Sequence, residues 1–306
     1  MDLIYFSIVI PLYNKANTIS RTINSILNQT YGNYEIIVVD DGSTDDSISV
    51  VNDLIQNDSK ANIFQKKNGG ESSARNYGIL NSKYDYVAFL DADDFWEETY
   101  LFEMKNLINT FQDKGMYCSK YNYVLYEEKI ESKTTELFKN KYSVVNNYFR
   151  NSPKNPIATS SSTVVYRPIF KEVGLFNEHI THGPDLDMWL RIALHYPVYY
   201  CNLPISNYVK DAIDSVTKKI PKLENTIIFI LKSYYCGDLV IDNYLDEIKL
   251  NFASLYLLAG HEAYFKEIMK SIKIKSIKSL LYKIPNFKLL FFLNKIYQFK
   301  YNNLLK

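Results

Sequence analysis

The chain has 306 residues, which is enough for one large domain or for one domain with a smaller appendage. Hydrophobic residues make up 47% of it, so a sizeable core is expected and general disorder is not. With 35 basic and 34 acidic side chains, the net charge of +1 provides no general attraction to nucleic acid.

The cysteines and the apolar segments indicate a cellular compartment. Cys118, Cys201 and Cys236 lie far apart without metal-ligand spacing, and we interpret them as reduced, packed thiols. The apolar segment 3–13 lacks preceding basic residues and a small-residue cleavage site, so it reads as a buried strand. No uncharged apolar stretch reaches the ~18 residues of a membrane-spanning helix. The sequence therefore predicts a cytoplasmic protein.

The first hundred residues alternate β-branched strands with amphipathic helices. The predicted strands are 6–10, 35–39, 62–64 and 86–90, and the predicted helices between them are 18–27, 48–55 and 74–80. Strands separated by helices in this way are typical of parallel βαβ units with both sheet faces covered. We therefore expect an α/β fold.

The pattern changes twice further along the chain. Strands are predicted at 116–126 and 161–167, and helices at 102–111 and 185–196. Beyond about Asp211 the sequence becomes helical, rich in lysine and poor in glycine. We therefore predict an α/β domain of residues 1–210 and a helical, Lys-rich C-terminal region of residues 211–306.

Acidic residues follow two of the predicted strands, as Asp40-Asp41 and as Asp91-Ala92-Asp93-Asp94. Ligands of parallel sheets bind at the carboxyl ends of the strands, so adjacent strands would bring both clusters to one crevice. The cluster at residues 91–94 brings three carboxylates close together, and Mg²⁺ or Mn²⁺ would offset their repulsion. The cluster at residues 40–41 is suited to recognition of a nucleoside. The alternative is that both are turns with Asp as turn or cap residues, Asp94 capping a following helix.

Four motifs occur in order along the chain, at residues 8–14 (IVIPLYN), 37–45 (IVVDDGSTD), 69–76 (GGESSARN) and 89–94 (FLDADD). Together they resemble family 2 glycosyltransferases of the bacterial surface-polysaccharide type over about residues 5–210. The resemblance implies the GT-A nucleotide-diphospho-sugar transferase fold, a mostly parallel sheet flanked by helices, with residues 211–306 as a helical extension. The four motifs in order are specific, whereas none alone would be.

The resemblance also implies roles for the matching residues. Asp41 would recognise the uracil of a UDP-sugar, Arg75 would lie by the ribose or the diphosphate, and Asp93 would ligate Mn²⁺ or Mg²⁺. The donor-binding residues that it implies are Pro11, Tyr13, Asp41, Arg75, Asp91 and Ala92.

The catalytic base of the family lies in an acidic motif followed by an aromatic residue and an Arg, which here is the stretch 183–191. This puts the base at Asp185. Pro184 departs from the pattern, since many relatives have Glu there. Asp187 is a rival base, but residues two apart on a helix face different directions, and Asp185 at the predicted helix start is favoured.

The residue types fit one displacement reaction. A metal ion would neutralise the diphosphate leaving group, and one carboxylate would take the proton of the attacking hydroxyl. A single displacement inverts the anomeric configuration, so we expect an inverting, metal-dependent hexosyl- or N-acetylhexosaminyltransferase acting on a saccharide acceptor. His182 and Trp189 are possible acceptor contacts; the alternatives are an exposed loop histidine and a core tryptophan.

The C-terminal region is basic, with ten lysines against two glutamates from Glu262 to Lys306. Lysines interleaved with apolar residues are typical of helices on anionic membrane surfaces. Peripheral attachment to the inner face of the cell membrane would suit a polyprenyl-linked acceptor in surface-polysaccharide or glycan assembly. The alternatives are a helical cap or a dimer contact. No nucleic-acid-binding module accompanies the charge.

Two rival functions share parts of this pattern. A nucleotidyltransferase would need a Gly-rich phosphate loop with a lysine, and residues 14–17 match that poorly. A non-catalytic nucleotide-sugar-binding protein would have lost the acids that this sequence retains at all three positions.

Overall fold

The computed structural model describes residues 3–133, 138–152, 156–210 and 220–273. The chain divides into two compact units, Met1–Pro221 with Asn225–Ile227, and Lys222–Glu224 with Ile228–Lys306. The predicted division between residues 210 and 211 falls at the edge of a stretch that the structure does not describe. It stays a prediction.

The first unit is built around one mixed sheet. Its described strands are β1 (Phe6–Leu12), β2 (Tyr34–Asp40), β3 (Ala61–Gln65), β4 (Tyr86–Phe89), β5 (Phe95–Trp96), β6 (Met116–Leu125), β7 (Glu128–Glu131), β8 (Tyr142–Val144), β9 (Thr163–Tyr166) and β10 (Val198–Val209). Its described α-helices are α1 (Ile19–Leu27), α2 (Ser47–Ile55), α3 (Glu71–Leu80), α4 (Tyr100–Phe111), α5 (Tyr148–Asn151), α6 (Ile169–Val173) and α7 (Pro184–His195).

The strand order is β3-β2-β1-β4-β9-β6-β10-β5, with β7 beside β6 and β8 beside β10. The first four strands of this order are parallel, and β9 lies antiparallel between β4 and β6. Every residue of β1 and β2 is buried, as expected for parallel strands covered on both faces. The predicted α/β architecture is confirmed, whereas β5, β7, β8 and β10 were not predicted.

One expectation about the sheet is wrong. The two strands that carry the acidic clusters, β2 and β4, are not neighbours, because β1 pairs with both of them. Their carboxyl ends nevertheless open on the same edge of the sheet, since all three strands run in parallel.

Helix α3 lies unusually close to the sheet. A Cβ atom on Gly78 would stand 2.3 Å from Cγ1 of Val9 in β1, so only glycine allows this approach. The close packing fixes α3, whose amino-terminal end reaches the carboxyl edge of the sheet.

The second unit is helical in its described part. Its main helices are α8 (Leu239–Leu258) and α9 (Glu262–Ser271), and short 3-10 helices lie at Ile227–Phe229 and Leu231–Tyr234, at the division of the two units. The carboxylate of Asp238 caps α8 by accepting the N–H of Val240 at 2.8 Å. The helical extension is thus confirmed within residues 220–273, whereas residues 211–219 and the basic segment 274–306 lie outside the described residues.

The structure bears on the expectations about the cysteines and about membrane-spanning helices. Cys118 and Cys201 are buried thiols as predicted, whereas Cys236 is exposed. Among the helices of the described residues, none combines the length and the apolar character needed to cross a bilayer.

Candidate active site

A cavity of about 400 Å³ opens at the carboxyl ends of β1, β2 and β4. This volume lies in the range of small-molecule sites. The lining includes six of the predicted site residues, namely Pro11, Tyr13, Asp41, Asp91, Ala92 and Asp93. Another part of the lining, called the far wall, includes Glu178, Ile180, Thr181, Pro184, Tyr208 and Val209. The four sequence motifs therefore meet at one pocket.

Asp41 holds one wall of this pocket in place. Its buried carboxylate accepts the backbone N–H groups of Gly69 at 2.9 Å and Gly70 at 2.7 Å. Lys66 Nζ lies 2.6 Å from the same carboxylate and balances its charge. Gly70 has a φ of 89°, a backbone conformation that favours glycine. Asp41 thus fixes the loop that leads into α3.

Arg75 lies behind the pocket rather than on its wall. The side chain is almost wholly buried, and Nη2 donates to Oδ1 of Asp91 at 2.6 Å and also contacts the carboxylate of Glu71. Both acids line the pocket. In the structure Arg75 is the cation that holds two carboxylates of the pocket wall. Its place beside the ribose or the diphosphate, which the resemblance implies, stays a prediction.

Glu71 is a pocket residue that the sequence reasoning missed. Burial at the pocket wall raises the pKa of its carboxyl to about 7; Arg75 opposes the shift, and the charges of Asp91, Asp185 and Asp93 add to it. The pocket mouth still leaves 40% of the side chain exposed. Its position in motif 69–76, at the first turn of a helix that follows a Gly-Gly loop, was the available signal.

Asp93 faces the pocket beside a lysine. Lys15 Nζ lies 2.6 Å from Oδ2 of Asp93, and Arg21 donates to the Asp93 carbonyl at 2.8 Å. Thr18 and Thr22 donate to the carbonyl of Ala92, so α1 and the turn before it anchor the acidic loop.

The acidic side chains of the pocket determine which metal ion it could hold. Within the described residues, no three His, Cys, Asp or Glu side chains form a group that could hold a metal ion. One or two carboxylates together with phosphate oxygens are nevertheless the usual ligands of Mg²⁺. Asp93 therefore fits a divalent cation that arrives with a diphosphate.

Asp94 does not cap a helix, contrary to the expectation. The residues after it form β5, and α4 begins only at Tyr100. The buried Asp94 carboxyl instead accepts the N–H of Val209 at 2.8 Å and lies 2.5 Å from Ser161 Oγ. Burial, followed by the charges of Asp93 and Asp91, raises its pKa. Asp94 thereby ties the acidic loop to the end of β10.

The two candidate bases of α7 differ in their surroundings. Burial raises the pKa of Asp185, while the charge of Arg75 lowers it and that of Asp91 raises it, so Asp185 belongs to the pocket's charge network. Asp187 is 1% exposed, and Oδ2 accepts from Arg191 Nη2 at 2.8 Å. Arg191 also donates to the carbonyl of Leu175. Asp187 thus anchors α7, and Asp185 remains the candidate base.

The two possible acceptor contacts, Trp189 and His182, lie in different surroundings. Trp189 is fully buried and packs on Phe89 and Phe176 with ring centroids 6.0 Å away in each case, so the prediction that it stacks on an acceptor is wrong. His182 is partly buried, its ring Nδ1 lies 3.2 Å from Thr181 Oγ1, and Thr181 is the one of the two that lines the pocket.

Tyr208 is the aromatic side chain that the sequence reasoning missed. It lines the pocket from β10, and burial, followed by the charges of Asp94 and Asp185, raises its pKa. The edge of its ring packs against Tyr123 of β6 at 6.1 Å between centroids.

Comparisons with known proteins show the family to which the chain belongs. The chain matches the profile described as Glycosyl transferase family 2 over residues 7–174, more than half of its 306 residues. It belongs to glycosyl transferase family 2. An uncharacterised glycosyltransferase of Rickettsia typhi is 33% identical over 197 residues, which are 63% of this chain and 60% of that protein. The hyaluronan synthase of Pasteurella multocida is 29% identical over 272 residues, 88% of this chain but 27% of the synthase. The chain thus spans less than two thirds of the length of both relatives.

A solved structure shows the same fold. S. aureus TarS 1–349 in complex with UDP-GlcNAc has a TM-score of 0.73 at 18% identity, covering 88% of this chain and 82% of that chain. The predicted GT-A fold is therefore confirmed.

Proposed function

We propose that the chain is an inverting glycosyltransferase that moves a hexosyl or N-acetylhexosaminyl unit from a UDP-sugar to a saccharide acceptor. The observation that carries this proposal is that Asp41, Asp91 and Asp93 line one pocket, while Asp185 follows the lining residue Pro184 and interacts through its charge with Asp91. Membership of the family supports it. The neighbouring fold of TarS holds UDP-GlcNAc, which supports a uridine diphosphate donor here.

The donor would occupy the side of the pocket formed by the parallel strands. Pro11 and Tyr13 would contact the uridine, with Tyr13 offering an exposed ring. Asp41 would act by holding the Gly69-Gly70 loop and by presenting its carboxylate to the uracil. Asp91 and Ala92 would bound the ribose.

Asp93 would hold Mn²⁺ or Mg²⁺ at the diphosphate. The ion would supply charge neutralisation of the leaving group. The chain's own part is to place Asp93 on a loop that α1 anchors at the carbonyls of residues 92 and 93.

Asp185 would take the proton of the attacking hydroxyl at its carboxylate. A base is most effective when its pKa lies closer to the working pH than that of a free carboxyl, and burial shifts Asp185 in that direction. With one base the hydroxyl displaces the diphosphate in a single step, and this inverts the anomeric configuration of the sugar. Tyr208, on the far wall, would contact the acceptor.

The acceptor and the cellular place of the reaction are part of the same proposal. The acceptor would be a lipid-linked saccharide at the inner face of the cell membrane. The basic C-terminal region would attach the enzyme to the anionic surface of that membrane. Surface-polysaccharide or glycan assembly is the corresponding process.

The decisive experiment is a screen of UDP-sugars and of ADP-, GDP- and CDP-sugars for nucleotide release with Mn²⁺, with Mg²⁺ and with EDTA. We expect release from one UDP-sugar only, dependent on a divalent cation and stimulated by a saccharide acceptor. The anomeric configuration of the product is read by NMR. Formation of a nucleoside triphosphate and a sugar 1-phosphate when pyrophosphate is added would instead indicate a nucleotidyltransferase.

A further inference from the structure

Lys15 is the one lysine that lines the described pocket. Its Nζ lies 2.6 Å from Oδ2 of Asp93, and each side chain is 18% exposed. An ammonium and a carboxylate at this distance form a charge-assisted hydrogen bond, which is stronger than a neutral one. The carboxylate suited to a divalent cation therefore has an internal cation as its partner.

The backbone aims this lysine at the pocket. Asn14 has a φ of 51°, a conformation that asparagine tolerates, and its N–H donates to Ser43 Oγ at 3.0 Å. The N–H of Lys15 donates to Ser47 Oγ at 2.7 Å, and Thr44 donates its N–H to Asn14 Oδ1 at 2.8 Å. The turn between β1 and α1 is thus fixed on both sides of Lys15, while the long side chain can change partner.

A lysine and a divalent cation compete for the same carboxylate because both are attracted to its negative charge. When a cation–nucleotide complex binds at Asp93, the ammonium of Lys15 loses its partner while phosphate oxygens enter the pocket beside it. A cation of this kind beside a diphosphate stabilises the two added negative charges.

We propose that Lys15 exchanges partners: it neutralises Asp93 in the donor-free protein and binds a phosphoryl oxygen of the donor when Asp93 binds the divalent cation. This inference rests on the proposed function, since it assumes a nucleotide diphosphate donor. It assigns to Lys15 two measurable effects of opposite sign. The side chain weakens binding of the free cation and strengthens binding of the nucleotide.

The test uses the full chain with Lys15→Met, Lys15→Arg and, as a matched control, Lys129→Met, which removes the exposed ion pair that Lys129 of β7 forms with Glu97. Mn²⁺ affinity without nucleotide is measured from the electron paramagnetic resonance signal of free Mn²⁺. Affinity for UDP in the presence of Mn²⁺ is measured by calorimetry.

We expect Lys15→Met to bind Mn²⁺ alone about tenfold more tightly and to bind UDP about tenfold more weakly, because each state loses one charge-assisted contact. Lys15→Arg and Lys129→Met should stay close to the wild type in both measurements. Unchanged Mn²⁺ affinity, or undiminished UDP affinity, in Lys15→Met would overturn the exchange. If the wild-type protein itself binds no UDP, the proposed function is wrong. If it binds UDP but Lys15→Met leaves either affinity as in the wild type, only the exchange of Lys15 partners is wrong.

Discussion

Arg75 Nη2 lies 2.6 Å from Oδ1 of Asp91, and the same guanidinium contacts Glu71 one helical turn before it. The two acids belong to different motifs and line the same pocket. A buried cation thus holds the α3 side and the β4 side of the pocket together from behind the lining residues. Its removal would leave two crowded carboxylates without a counter-charge.

We expect Arg75→Met to lower the free energy of unfolding by about 3 kcal/mol, because breaking a buried ion pair leaves the partner charge uncompensated. Urea denaturation measures this change. Arg167→Met is the control. It removes a 3.9 Å ion pair with the exposed Asp85 and one hydrogen bond to the Tyr84 carbonyl, and should cost about 1 kcal/mol. Equal losses in the two variants would contradict the role given to Arg75.

The second prediction concerns the base. Asp185→Asn should lower kcat by about 10²–10⁴-fold with UDP affinity unchanged, because only the proton acceptor is lost. Asp187→Asn should mainly reduce stability, since it weakens the anchoring contact with Arg191. Steady-state kinetics, calorimetry and denaturation separate the two. Turnover retained in Asp185→Asn would refute the assignment.

The sequence could predict the donor side of this site because its residues directly follow strands. Asp41 comes after β2 and Asp91 after β4, so the strand-end rule places both without knowledge of distant contacts. The side chains that pair with the pocket acids could not be predicted in the same way. Lys15, for example, pairs with Asp93 although the two are 78 residues apart in the chain.

The far wall of the pocket depends on contacts that a local pattern does not contain. Tyr208 reaches the pocket from β10, a strand that pairs with β6 and β5 rather than with its sequence neighbours. Helical periodicity likewise cannot tell which side of α7 meets the core. The sequence therefore left both an acceptor contact and a core position open for Trp189, and its side chain packs on Phe89.

The third prediction is a pH dependence. Activity requires ionised Asp185, whose pKa is raised, so kcat/KM should fall as the pH drops through a value above the ordinary one of about 4. Asp91→Asn should move this acidic limb to lower pH, because the charge of the Asp91 carboxylate raises the pKa of Asp185 and is lost in this variant. A limb that stays in place or moves to higher pH would count against this coupling.

The fourth prediction tests the packing that positions α3. In Gly78→Ala the new methyl group would stand 2.3 Å from Val9 Cγ1, so helix and strand must separate. We expect a loss of about 2 kcal/mol in the free energy of unfolding and weaker UDP binding, because α3 carries Glu71 and Arg75. Gly32→Ala is the control, since the nearest atom there is Lys60 Nζ at 3.9 Å. Comparable stability of the two variants would show that α3 tolerates the displacement.

The pairing of charges around the pocket has a consequence for the rate at which a ligand arrives. Each cation of the site already faces a carboxylate, and the acids outnumber the cations: Asp41, Glu71, Asp91, Asp93 and Asp185 stand against Lys15, Lys66 and Arg75. A free nucleotide diphosphate therefore approaches a surface of its own sign. Its association rate should increase with ionic strength as salt screens the repulsion, whereas the complex with a divalent cation should associate faster and respond less to salt. The donor-free pocket thus favours the cation complex over the free nucleotide diphosphate already during association, before any contact with the sugar is made.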